Sequence, residues 1–188
     1  MQITGERVVL RDERRQSDKE IWIHWLNLEE WQYYDEPDAP FEPPSQETVE
    51  AMWNYWGSST PSLHRLYIDT HKGRFIGWVV AYGFDPGFRS LFIGVDLPGE
   101  DTWGKGYGTE ALRVWIDHLF RTMELDEIKT ATWTGNRRMM RCAEKCGFPE
   151  AVRMPHRAAL SVRGELLERA EFSMSRAAWA AQAATNPK

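Results

Sequence analysis

Three glycines at alternate positions, Gly104, Gly106 and Gly108, stand between an apolar run and a helical pattern. The run at 90–97 reads as a strand. After the glycines, Leu112, Trp115, Ile116, Leu119, Phe120 and Met123 recur at i, i+3, i+4, i+7, i+8 and i+11, one apolar face of a helix. The stretch from Trp103 to Ala111 is therefore a strand handed through a tight loop to a helix start, which commits the chain to an α/β layer. Glycine lacks a Cβ, so its backbone can turn sharply and come close to a ligand. A helix N-terminus adds unpaired N–H groups and a partial positive charge. Together these features make an anion site, most often one for phosphate.

The nucleotide motifs fit poorly. The nucleotide-binding P-loop needs Gly-Lys followed by Ser or Thr, but Gly106 follows Lys105. The dinucleotide pattern started at Gly104 needs glycine where Thr109 stands; started at Gly106, it must accept Ala111. It also needs an acid at the end of the next strand, which ends instead in Thr132, Trp133 and Thr134.

The rest of the chain extends this core. Strands are expected at 4–11, 63–69, 74–84, 90–97, 127–133, 151–162 and 166–175, with helices near 17–27, 45–56, 109–123 and 136–146. Ser17 and Ser45 are the expected N-caps, with Glu20 completing a capping box at the first. The stretch 33–44 carries Pro37, Pro40, Pro43 and Pro44 and reads as a loop, and the second helix is expected to stop at 57–61. Gly147 is placed to end the helix after Asn136, with Phe148 packing back. One domain at 1–176 is expected, with an Ala-rich tail at 177–188 that frays.

Composition narrows the classes. In 188 residues, Lys and Arg total 23 against 28 Asp and Glu, a net charge of −5, so a general nucleic-acid binder is disfavoured. No apolar run approaches a membrane span, and the N-terminus lacks the apolar core of a secretory signal. Cys142 and Cys146 have no nearby histidine or second cysteine pair, so no metal is expected; two buried thiols in a reducing cytoplasm fit better.

Two motifs together resemble the GNAT superfamily of acyl-CoA N-acyltransferases. The first is Arg/Gln-x-x-Gly-x-Gly/Ala after the fourth strand, matched by Trp103, Gly106 and Gly108; the second is Asn136 leading to Gly147-Phe148. The resemblance covers nearly the whole chain and is nearest to ribosomal-protein alanine, spermidine and aminoglycoside N-acetyltransferases. It implies a mixed, mostly antiparallel sheet of about seven strands, splayed between the fourth and fifth, with about four helices. It also implies acetyl-CoA as co-substrate. The amides of Gly104, Lys105, Gly106, Tyr107, Gly108 and Thr109 would hold its pyrophosphate. Ile93, Val95 and Leu97 would offer backbone groups to the pantetheine arm. Asn136 would lie in the splay, and Arg141 or Lys105 would pair with phosphate. Arg137 and Arg138 read as a solvated helix face.

The chain departs from the family pattern twice. Trp103 replaces Arg or Gln, and because amides should do most of the phosphate work, arginine at 103 is expected to be tolerated. Ala143 replaces a tyrosine that can protonate the leaving thiolate, although a thiolate can leave without an acid.

The implied reaction is direct attack of an amine on the thioester. Asp96, which interrupts the fourth strand's apolar run, is the first candidate base, ahead of His156 and Glu100. The acceptor end is expected at Trp25, Trp31, Tyr33 and Tyr34, helped by Asp35, Glu36, Asp38 and Glu42, a composition suited to a cationic amine. The acceptor is either a small polyamine or aminoglycoside-like molecule or a peptide N-terminus. A non-catalytic acyl-CoA sensor stays open because of Ala143, as does a homodimer.

Overall fold

The computed structural model describes residues 1–58 and 65–185. The expected helix stop at 59–61, the strand start at 63–64 and the end of the tail at 186–188 lie outside the described residues. Within them are eight strands: β1 (Gln2–Thr4), β2 (Val8–Arg11), β3 (Arg65–Thr70), β4 (Phe75–Tyr82), β5 (Ser90–Asp96), β6 (Glu127–Trp133), β7 (Val152–Leu160) and β8 (Leu166–Ser175). Six α-helices accompany them: α1 (Lys19–Leu26), α2 (Glu29–Asp35), α3 (Gln46–Ser58), α4 (Tyr107–Thr122), α5 (Arg137–Lys145) and α6 (Arg176–Thr185). The sheet order is β1-β2-β3-β4-β5-β6-β8-β7, antiparallel throughout except where β5 meets β6.

Alternation along the strands divides the core into two layers. Leu66, Ile68, Val79, Leu91 and Ile93 face α4 and α5, where Leu112, Trp115, Ile116, Leu119 and Phe120 are buried against them. Tyr67, Phe75 and Trp78 turn to the other face and meet Trp22, Trp25 and Trp53 of α1 and α3. Trp22 is fully buried, its ring 5.3 Å from that of Trp53. Burying one indole removes roughly 200 Å², about 5 kcal/mol of transfer free energy. A buried ion network fixes the first strands: Arg11 donates from Nε to Asp69 at 2.8 Å and from Nη2 to Asp18 at 2.8 Å.

The structure corrects several expectations. The first strand is two, because Gly5 turns the chain: its amide bonds to the Val8 carbonyl at 2.9 Å. A Cβ at Gly5 would lie 2.4 Å from the Glu110 carboxylate, which accepts from the Arg7 amide at 2.7 Å. Ser17 does not cap α1; Asp18 accepts from the Arg15 amide at 3.1 Å while also holding Arg11. Ser45 does cap α3, accepting from the Thr48 amide at 3.2 Å. Part of the expected loop is α2, with Glu29 and Glu30 in its first turn, where acids favour helix starts. The tail forms α6 instead of fraying. Ser175 Oγ accepts from the Ala178 amide at 3.2 Å, and Trp179 stacks on Phe120 with centroids 5.2 Å apart.

Candidate active site

β5 and β6 run parallel, but only Ser90, Leu91 and Phe92 pair with Glu127, Ile128 and Lys129. Beyond Phe92 the strands diverge. Thr130, fully buried, spans the start of the gap, its Oγ1 donating to the Ile93 carbonyl at 2.8 Å. Successive residues of a strand direct their N–H and C=O to opposite edges. Ile93, Val95 and Leu97 therefore direct theirs into the gap, and Gly94 and Asp96 direct theirs toward β4. The Leu97 carbonyl accepts from Trp103 Nε1 at 2.6 Å, which leaves the Val95 amide and carbonyl as the central groups of the open edge.

The glycine loop closes one side of this gap. Gly104 and Gly106 have φ of 73° and 85°, left-handed values that strain any residue with a Cβ. Gly106 is the N-cap of α4, and the first intrahelical bond runs from Glu110 N to Gly106 O at 3.0 Å. The amides of Tyr107, Gly108 and Thr109 thus lack helical acceptors and point out of the helix end. Arg7 ties the loop to the sheet, donating to the Lys105 carbonyl at 3.0 Å. The two buried thiols fasten α4 to α5: Thr109 Oγ1 donates to Cys142 Sγ at 3.5 Å, and Cys146 Sγ donates to the Thr109 carbonyl at 3.4 Å.

α2 forms the opposite wall. Tyr33 points inward against Trp133 and Leu167, and its hydroxyl bonds to Ser161 and Glu165. Trp133 Nε1 donates to the Tyr34 carbonyl at 3.1 Å. These bonds leave the Tyr34 ring and Asp35 facing a cavity of about 670 Å³ that is lined from both faces of the sheet.

Most of the residues expected at the site meet in this cavity. Val95, Asp96, Leu97, Gly104, Gly106, Tyr107, Gly108, Thr109, Asn136, Arg141, Trp31 and Tyr34 line it. Ile93 offers only its backbone edge, since its side chain is core. Lys105 is exposed and is not among the residues that line the cavity. Two acceptor candidates are corrected. Trp25 is 4% exposed and packed on Phe75 and Trp78, and Tyr33 is turned inward because neighbouring helical positions face different ways. Asn136 caps α5, its Oδ1 accepting from the Met139 amide at 3.1 Å, and Nδ2 donates to the Tyr34 carbonyl at 3.4 Å. His156 lines the cavity, whereas Glu100 lies in a short turn outside it.

The cavity carries charges of both signs. Arg138, Arg141 and Lys145, at i, i+3 and i+7 of α5, line it together with Arg169, Asp96 and Asp35. Burial pushes the half-buried Asp96 carboxyl up to about 7, and the Asp35 charge adds to this; a hydrogen bond from Trp78 and the Arg65 guanidinium pull the other way. Asp35 stands at the exposed mouth, where partial desolvation and then the Glu36 charge raise it. Sequence reasoning missed Arg138, Tyr82 and Arg169, all of which line the cavity. Arg138 carried a readable signal, being one α5 turn ahead of Arg141 on the same face. Tyr82 and Arg169 carried none, since only the strand order brings them together. Among the described residues, no group of three or more His, Cys, Asp or Glu is placed to hold a metal ion, and no helix is long and apolar enough to cross a membrane.

Residues 7–149 match the acetyltransferase (GNAT) domain. A kanamycin resistance protein of Rhizobium radiobacter is 39% identical over 64 residues, 34% of this chain and 57% of that protein. An aminoglycoside N(6')-acetyltransferase type 1 of Klebsiella pneumoniae is 39% identical over 66 residues, 34% of this chain and 31% of that protein. The chain thus spans only about half of the first relative's length and a third of the second's. The crystal structure of spermidine N-acetyltransferase from Vibrio cholerae, in complex with CoA and spermine, shares the fold with a TM-score of 0.74 at 17% identity, over 94% of this chain and 99% of that one.

Proposed function

The chain belongs to the GNAT acetyltransferases, and from that membership we propose that it transfers an acetyl group from acetyl-CoA to a primary amine of a small cationic molecule. The observation that carries the reading is the position of Asp96. It lies on β5 where the ladder to β6 has ended, in the same cavity as the glycine loop, with its carboxyl near 7.

Acetyl-CoA supplies the activated acyl group as a thioester. The residues present suit it. The free amides of Tyr107, Gly108 and Thr109 at the positive end of α4 match a pyrophosphate. The open edge of β5 matches an extended amide-bearing arm, as an added strand would. Gly108 keeps the passage clear: a Cβ there would lie 3.4 Å from Leu97 Cδ1 and 3.9 Å from Cys142 Sγ and Val95 Cγ2.

Asp96 takes the proton that an ammonium must lose before its nitrogen can attack. A base near 7 is well matched to this task, being about half ionised at neutral pH and so able both to take and to hold a proton. The Val95 N–H donates to the oxyanion that forms on the thioester carbonyl. The C–N bond forms, the C–S bond breaks, and the sulfur leaves as thiolate, which takes up the second proton that the attacking nitrogen gives off, so the absent tyrosine at Ala143 does not block the reaction.

Trp31, Tyr34 and Asp35 suit a polycationic acceptor, because acids and ring faces both favour ammonium groups. Aminoglycosides and polyamines, named in the relatives above, are the compounds to test first, with peptide N-termini as a comparison. Two unpaired buried thiols fit a reducing cytoplasm. The experiment is thiol release from acetyl-CoA with a panel of such amines. Turnover on a polycation supports the reading. CoA binding with no turnover on any amine would favour an acyl-CoA sensor instead.

A further inference from the structure

The glycine loop supplies amides to the cavity but no cationic side chain. Trp103 at its start has no charge, and its Nε1 is engaged with the Leu97 carbonyl. Lys105 lies outside the cavity lining, and Arg7 is engaged with the Lys105 carbonyl. The other side of the gap supplies a cationic side chain within the cavity lining. There Arg138 projects from the first turn of α5, with its guanidinium carbon 3.7 Å from the Trp103 ring centroid and 4.3 Å from that of Tyr34. The two rings meet edge-on, with centroids 6.1 Å apart. Among the described residues, the partners of Arg138 are these rings, not a carboxylate.

We propose that Arg138 is a phosphate-binding residue of the acyl-CoA site, pre-oriented by Trp103 and Tyr34. The proposal rests on the acyl-CoA reading above. With the rings at 89° to each other, the guanidinium can stack on one and meet the other along one edge, which leaves its remaining in-plane N–H groups free to donate. A planar fork fixed in this way loses less side-chain freedom on binding than an unsupported arginine or lysine. Its donors match two phosphate oxygens at once. Arg138 shares the cavity lining with Gly104, Gly106 and Gly108, so the fork and the loop amides can act on one pyrophosphate from two sides. Arg141 and Lys145 continue the same face of α5 and extend the positive field along it.

The test compares coenzyme A with pantetheine, which keeps the thiol arm and lacks the phosphates. Binding of each is measured by calorimetry on the wild type, R138M and R138K. Loss of a charged hydrogen-bond pair should weaken coenzyme A roughly 10- to 100-fold in R138M. R138K keeps the charge but loses the fork and should fall in between. Pantetheine affinity should change less than about twofold in both variants, since no phosphate is involved. Equal weakening of both ligands would make Arg138 a structural clasp and overturn the proposal. Unchanged coenzyme A binding in R138M would overturn it too. If R138M fails to fold, R138K decides on the same comparison. A wild type that binds no coenzyme A would overturn this proposal and the acyl-CoA reading together, whereas a wild type that binds it as weakly as R138M would overturn this proposal alone.

Discussion

Replacing Asp96 with asparagine should remove activity and raise stability, and both effects should depend on pH. Asparagine keeps the shape and an oxygen for the Trp78 hydrogen bond, but it has no charge to bury. The sign follows from linkage. The Asp96 carboxyl ionises at about 7 in the folded protein against an ordinary 3.8, so the folded state holds its proton more tightly. The stability this confers is complete below about pH 4 and is lost as pH rises through 7. Above pH 7 the buried charge costs about 4 kcal/mol at ~1.4 kcal/mol per pH unit, or on the order of 2 to 4 kcal/mol once screening in an open cavity is allowed for. Asp96→Asn should therefore raise the unfolding midpoint at pH 8 by roughly 5 to 10 °C. At pH 5 the gain should be less than half as large. In the same variant kcat should fall about 10²- to 10⁴-fold, and the rise of the rate through pH 7 should disappear. Thermal scans and a pH–rate profile on both proteins test this. Equal midpoints at pH 8, or a retained rise through pH 7, would refute the assignment of the buried base.

Three further perturbations probe the frame. Gly108→Val puts its Cβ at ordinary contact distances, so the chain should still fold, with a midpoint lowered by no more than a few degrees, while calorimetry shows coenzyme A affinity falling about 100-fold or more by steric exclusion. Trp103→Arg, which the motif alone would tolerate, should lose the bond to the Leu97 carbonyl and bring a second guanidinium against Arg138, lowering stability by about 1 to 2 kcal/mol in urea titrations. Arg11→Met leaves the buried carboxylates of Asp69 and Asp18 without their shared partner and should cost about 3 to 5 kcal/mol in the same assay.

Local patterns made much of this fold readable in advance. The strand, glycine loop and helix from 90 to 122 were legible because each uses a short-range rule: apolar alternation, absence of Cβ, and helical periodicity. The Gly147 stop followed for the same reason, and its φ is 86°. Where tertiary contacts decide, the patterns fell short. α2 is only seven residues long, too short to show a period, and is held by the Tyr33 hydroxyl and Trp133, whose partners lie more than a hundred positions away or nearly so. α6 looks like a loose alanine tail until Trp179 finds Phe120. At the site, Asp96 stood out because it breaks an apolar run. Arg138 looked like a solvated charge, because nothing in a linear sequence reveals that Trp103 and Tyr34 will meet around it.

Acetyl transfer to a cationic amine is the activity on which every site assignment depends. The direct measurement is mass spectrometry of an amine panel containing kanamycin, spermine and a peptide with a free N-terminus, each incubated with acetyl-CoA and the protein while released thiol is followed. We predict that a polycation gains one acetyl group for each thiol released and that Asp96→Asn abolishes both signals. Tight coenzyme A binding with no amine modified and no thiol released would contradict it.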